Sequence, residues 1–94
     1  MKYTIPDYLT AIELPDGTWL VTDTRSDAYC TLSPSTGVIW ELFREASDMG
    51  QVVGRASERF NGAPAARVHA AVEEAVHLLE DQGLLVPDRR RDEP

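Results

Sequence analysis

One cysteine, Cys30, stands in a chain of 94 residues, so no internal disulfide can form and the fold must rest on an apolar core. No run approaches the roughly 20 apolar residues of a membrane-spanning helix, and the N-terminal stretch lacks the apolar segment of a secretory signal. A cytoplasmic location is therefore expected. Positive charge is also scarce, with 9 Lys and Arg against 16 Asp and Glu and a formal net charge of −7. That balance repels phosphate backbones and anionic lipid, which disfavours nucleic acid and membrane surfaces as partners. The histidines are only two, His69 and His77. On one helix they would lie about 12 Å apart, too far to ligate one ion without a further segment. Cys30 has no base or cation among its strand neighbours to make it a thiolate nucleophile. No metal, cofactor or catalytic group is expected, and Trp19 and Trp40 read as core aromatics.

What is present is a change of hydrophobic period. Tyr8 to Leu14 alternates Tyr8, Thr10, Ile12 and Leu14 against Leu9, Ala11 and Glu13, and the turn signal Pro15-Asp16-Gly17 follows. Thr18 to Asp23 supplies a second strand with Trp19 and Val21 on one face, and Thr24-Arg25-Ser26 turns the chain into a third strand, Ala28 to Leu32. These make a three-stranded antiparallel meander. From Ser33 the period becomes helical. Ser33 can cap a first helix with Pro34 at its first position, and Val38, Ile39, Leu42, Phe43 and Ala46 give it an apolar stripe. Asp48 and Gln51 resemble a capping box for a second helix that closes at Asn61-Gly62. Pro64 opens a third, with Val68, Ala71, Val72, Ala75, Val76, Leu78 and Leu79 inside it. Gly83 should end that helix, with Leu84 folding back towards Leu79 in a Schellman turn. The reading is one α+β domain over residues 1–87, with a sheet at about 8–32 and helices at about 33–83. Residues 88–94, with no apolar side chain, are expected to be a disordered charged tail.

In such a meander the first and third strands are edges carrying unpaired backbone groups. Pro6, Pro15 and Glu13 blunt the first edge, whereas no Pro, Lys or Glu lies between Ala28 and Leu32. The third strand is thus the edge more open to an added strand, unless the third helix covers it. The first helix is expected to be chiefly structural.

The segments Asp23-Thr24-Arg25-Ser26-Asp27-Ala28-Tyr29, Leu32-Ser33-Pro34-Ser35-Thr36-Gly37-Val38-Ile39-Trp40-Glu41-Leu42-Phe43 and Leu78-Leu79-Glu80-Asp81-Gln82-Gly83-Leu84-Leu85 occur here in that order. With them the chain resembles, over about residues 8 to 86, the PqqD-like peptide-recognition domains, also called RiPP recognition elements. The Asp-x-x-Ser-x-x-Tyr hairpin is most similar to the leader-binding proteins of lasso-peptide biosynthesis. The resemblance implies a winged-helix-like fold of three strands followed by three helices, with no catalytic activity. It implies capture of the leader of a ribosomally made precursor peptide as an antiparallel strand between the third strand and third helix. The partners implied are a cysteine peptidase that removes the leader and an ATP-dependent cyclase. Two positions depart from the family pattern: Ser33 where Asn is common, and Asp27 where Gly is common.

Carried onto this chain, the resemblance makes Ala28, Tyr29, Cys30, Thr31 and Leu32 the main-chain pairing line. Val68, Ala71, Val72 and Ala75 become the opposite wall, with Arg67 and Glu74 as charged contacts at its rim. A rival reading within the family is a chaperone for a radical-SAM peptide-modifying enzyme. A winged-helix DNA-binding regulator is a second rival, but the third helix sets Arg67 against Glu73, Glu74, Glu80 and Asp81.

Overall fold

The structure is a computed structural model that describes residues 2–46 and 48–87. The expected charged tail lies outside the described residues. In chain order the described elements are β1 (Tyr3–Thr4), β2 (Leu9–Glu13), β3 (Trp19–Asp23), β4 (Tyr29–Leu32), α1 (Pro34–Leu42), α2 (Met49–Arg59), α3 (Ala65–Asp81) and β5 (Val86–Pro87). The expected first, second and third strands are β2, β3 and β4, joined in that order in an antiparallel sheet. Three helices follow it, and the expected α+β architecture stands.

Each turn of the meander is built by short polar side chains. Between β2 and β3, Gly17 takes a φ of 90°, its N–H donates to the Leu14 carbonyl at 2.9 Å, and Asp16 Oδ1 accepts from the Thr18 N–H at 2.9 Å. A positive φ at that position is why glycine ends the loop. Between β3 and β4, Asp23 Oδ1 accepts from the Arg25 N–H at 2.8 Å and Ser26 Oγ from the Ala28 N–H at 3.2 Å. None of the described non-glycine residues has a positive φ, so Asp27 occupies a position that requires no glycine.

Ser33 caps α1, its Oγ accepting from the Thr36 N–H at 3.4 Å, with Pro34 first in the helix. The helix ends at Leu42, earlier than its apolar stripe suggests, because the Phe43, Arg44 and Glu45 N–H groups bond three residues back to Trp40, Glu41 and Leu42. That tighter winding still buries Phe43 and Ala46. Asp48 caps α2 through Oδ1 to the N–H groups of Gly50 and Gln51. Pro64 is the cap residue before α3 and not its first helical residue: its carbonyl accepts from the Arg67 and Val68 N–H groups. At the far end Gly83 has a φ of 76°, its N–H reaches the Glu80 carbonyl at 3.1 Å, and the Leu84 N–H reaches Leu79 at 2.8 Å. This is the expected Schellman turn.

The core joins the sheet to all three helices through Leu9, Val21, Leu32, Ile39, Trp40, Val52, Val72, Val76, Leu79 and Leu85. Trp40 is fully buried and its Nε1–H donates to the Leu84 carbonyl at 2.9 Å, pinning α1 to the end of α3. The Trp19 indole sits against Gly37, where a side chain at that position of α1 would overlap the ring. A two-stranded pairing that the sequence pattern did not suggest completes the fold: β1 with β5, Tyr3 opposite Pro87 and Thr4 opposite Val86.

Candidate functional site

The register of the sheet decides which backbone groups of β4 are free to meet another strand. Asp23 N–H donates to the Ala28 carbonyl at 3.1 Å, and the pairing continues without a bulge as Thr22 with Tyr29, Val21 with Cys30, Leu20 with Thr31 and Trp19 with Leu32. In an antiparallel ladder hydrogen-bonded and non-hydrogen-bonded pairs alternate. Ala28, Cys30 and Leu32 therefore bond inward to β3, and Tyr29 and Thr31 turn their N–H and carbonyl groups to the open side. The other hairpin obeys the same rule: Thr24 donates to Tyr8 at 2.8 Å and Leu14 to Thr18 at 2.7 Å, leaving Leu9, Ala11 and Glu13 outward on β2.

Paired residues share a face of the sheet. One face holds Leu9, Ala11, Val21, Cys30, Trp19 and Leu32 and packs on the helices. The other holds Thr10, Thr22, Tyr29, Ile12, Leu20 and Thr31, and it leaves Tyr29 73% and Ile12 58% exposed.

Two cavities lie on the helical side of the sheet, one between α1, which follows β4, and α3, and one beside the start of β4. One, of about 280 Å³, is formed by Ser35, Thr36 and Ile39 of α1, Phe60 and Ala63 before α3, and Arg67, Val68, Ala71, Glu74, Ala75 and Leu78 of α3. The second, of about 210 Å³, lies at the end of the sheet between the start of β4 and the turn that ends α3, where Asp23, Arg25, Ala28, Tyr29 and Cys30 face Gln82, Gly83 and Leu84, and it reaches across to Tyr8, Leu9 and Val21. The end of β4 leads into the first turn of α1, and its start faces the end of α3. The strand and α3 therefore run in opposite senses, with a cavity towards each end of the line between them.

The first cavity is apolar with one charge of each sign at its rim, Arg67 and Glu74, both exposed. Small alanines at positions 63, 71 and 75 keep it open, while Ile39, Phe60 and Leu78 supply apolar surface. At the mouth of the second, Arg25 makes paired contacts with Asp23, Nε to Oδ1 at 3.2 Å and Nη2 to Oδ2 at 3.0 Å, and stacks over the Tyr8 ring at 3.4 Å. Those hydrogen bonds hold the Asp23 carboxyl below the usual range. Burial pushes the Cys30 thiol up, so at neutral pH it stays protonated and is a poor nucleophile.

Of the residues expected on the helical wall, Arg67, Val68, Ala71, Glu74 and Ala75 are brought together around the first cavity. Val72 is fully buried and lines neither cavity, so it backs the wall from the core. On the strand side, Ala28 precedes β4 and closes its hairpin, and Leu32 is buried. Residues that sequence reasoning missed are Ser35, Thr36, Ile39, Phe60, Ala63 and Leu78. The first helix was expected to be structural, yet its opening turn lines the cavity. Leu78 stays 44% exposed at this cavity, an apolar surface that only the packed structure reveals.

His69 Nδ1 lies 3.3 Å from Glu73 on the exposed side of α3, and no cluster of three metal-ligating side chains occurs among the described residues. The exposed side of α3 also carries Glu74, His77 and Asp81, which is not the surface of a DNA-recognition helix. No helix among the described residues is long and apolar enough to cross a membrane.

Comparison with known proteins agrees with this fold. Residues 18–85 match the family model described as coenzyme PQQ synthesis protein D (PqqD). Among solved structures, TbiB1 in complex with the TbiA(beta) leader peptide superposes with a TM-score of 0.72 at 17% identity, covering 90% of this chain and 99% of that one. Lasso peptide synthetase B1 complexed with the leader peptide superposes with a TM-score of 0.73 at 14% identity, covering 93% and 100%. A search of curated proteins finds no match.

Proposed function

Because this chain belongs to the PqqD family, we propose that it binds the leader segment of a ribosomally synthesised precursor peptide, as an antiparallel strand between β4 and α3. The observation that carries the reading is the pairing of two outward backbone positions, Tyr29 and Thr31, with a 280 Å³ apolar cavity walled by α3. Main-chain bonds supply affinity and the cavities supply selection of side chains, the division of labour expected of strand addition. The two solved structures named above are leader-peptide complexes, and they share this fold.

The leader binding proposed here has a direction. A strand antiparallel to β4 passes first along the end near Leu32 and α1, then along the start near Ala28. Its earlier apolar residue enters the cavity at Ala71 and its later one reaches the cavity at Cys30 and Gly83. Arg67 and Glu74 tune orientation at the rim.

On this reading the protein is a cytoplasmic, non-catalytic recognition protein that delivers its bound precursor to a leader peptidase and a cyclase in lasso-peptide maturation. The family's description by coenzyme PQQ synthesis favours a second reading, a chaperone beside a radical-SAM enzyme. The genes flanking this one separate the two. Titration with a fluorescein-labelled synthetic peptide of the leader encoded beside the gene should give saturable binding. A folded protein that ignores that peptide would sink the proposal.

A further inference from the structure

We propose that the docked leader is read on both faces, and that the Tyr29 side chain, on the face away from α3, selects a β-branched or aromatic leader residue. The inference rests on the strand-addition reading above and deepens it. Tyr29 is the most exposed large apolar side chain among the described residues, at 73%. It sits on the edge strand, and its own backbone N–H and carbonyl are turned outward by the register.

The parity of the ladder fixes what meets it. A leader residue opposite Cys30 or Leu32 shares their face and points to the helical side, where the cavities lie. A leader residue opposite Tyr29 or Thr31 shares the other face. Its side chain extends the rows that already cross the sheet, Thr10 to Thr22 to Tyr29 and Ile12 to Leu20 to Thr31. In the free protein Tyr29, 73% exposed, ends the row that crosses the sheet from Thr10 through Thr22. An incoming strand places a side chain there, within reach of direct and diagonal contact. A flat amphipathic ring flanked by threonines suits an aliphatic, β-branched or aromatic partner, and would reject a small or acidic one.

The test uses the full-length protein and the labelled leader peptide described above, together with single-alanine variants of that peptide. Tyr29→Ala should weaken binding about fivefold, the scale of one good cross-strand pair, and Tyr29→Phe should retain it. Double-mutant cycles should couple Tyr29 to one leader position, immediately next in sequence to the position that couples to Cys30→Ala. Because Tyr29 is exposed, an unchanged melting temperature for Tyr29→Ala verifies folding. Equal affinity of Tyr29→Ala and wild type would overturn the inference. So would coupling of Tyr29 and Cys30 to leader positions two apart. If Tyr29→Ala binds normally while Thr31→Pro does not, only the outer-face reading fails; if wild type does not bind, strand addition falls with it.

Discussion

The two edges of the sheet offer similar backbone chemistry and very different surroundings. Strand β2 turns three residues outward, Leu9, Ala11 and Glu13, and β4 only two, Tyr29 and Thr31. Counting free hydrogen-bonding groups would favour β2. What stands beside each edge reverses the choice. Next to the start of β2 lies a hollow of about 410 Å³ formed by Thr4, Ile5, Pro6, Asp7, Leu9, Phe43 and Arg44, with no helical wall of small residues. Beside the start of β4 lies a cavity of about 210 Å³ that reaches the turn ending α3, and between α1, which follows β4, and α3 lies another of about 280 Å³ with a wall of alanines. An edge becomes a binding site when a neighbour holds side chains at the right depth, not when it merely has unpaired amides.

The most severe way to break this difference attacks the frame behind β4. Gly37→Val should cost about 3 kcal/mol or more, since Trp19, the cross-strand partner of Leu32, occupies the space a side chain needs. A melting curve should show a fall of about 12 °C or more. Gly54→Ala, on an open face of α2, should raise the melting temperature slightly, as the matched control.

The edge itself is tested by proline. Thr31→Pro removes an outward N–H and crowds the adjacent carbonyl, so leader affinity should drop about thirtyfold, with little loss of stability. Ala11→Pro makes the same change on β2 and should leave affinity within twofold. Equal losses from both would erase the distinction between the edges. A smaller effect comes from the helical wall: Ala71→Glu is exposed and should fold normally, but should weaken the labelled leader about tenfold by filling and charging the first cavity.

The smallest effect concerns pH. Asp23 has a folded pKa below its ordinary 3.8, chiefly through its hydrogen bonds with Arg25. Its contribution to the β3–β4 turn is therefore complete above that ordinary value and is lost as pH falls through the lower folded one. Chemical shifts of the Ala28 and Tyr29 amides should follow that titration in wild type and lose it in Asp23→Asn.

Much of this difference was legible in the chain. Period-2 alternation gave three strands, Ser33-Pro34 gave the start of α1, and Gly83-Leu84 gave the end of α3, because each is a local preference written in adjacent residues. The openness of β4 could be read from the absence of Pro, Lys and Glu. Other features escaped because they depend on distant partners. Nothing near Gly37 announces that Trp19 will lie against it, and nothing in Tyr3-Thr4 announces a partner at Val86-Pro87. The helical wall was half legible: alanines at helical spacing marked Ala71 and Ala75, but only packing shows that Val72 faces inward. Phe60 and Leu78 join the site through the angle between α2 and α3, which no window of sequence contains.

The pairing of β1 with β5 has a bearing on how such a protein can be combined with others. Tyr3 and Pro87 are direct antiparallel partners, so their α-carbons stand only about 5 Å apart although 83 residues separate them in sequence. A chain that entered the fold at β1 and left it at β5 would be displaced by hardly more than one residue's length. The whole recognition unit could therefore be spliced into a surface loop of a larger enzyme without spreading that loop. It would then carry its captured strand alongside the enzyme as a tethered neighbour, and a free binding protein and a built-in one would differ only in the two short crossings at that point.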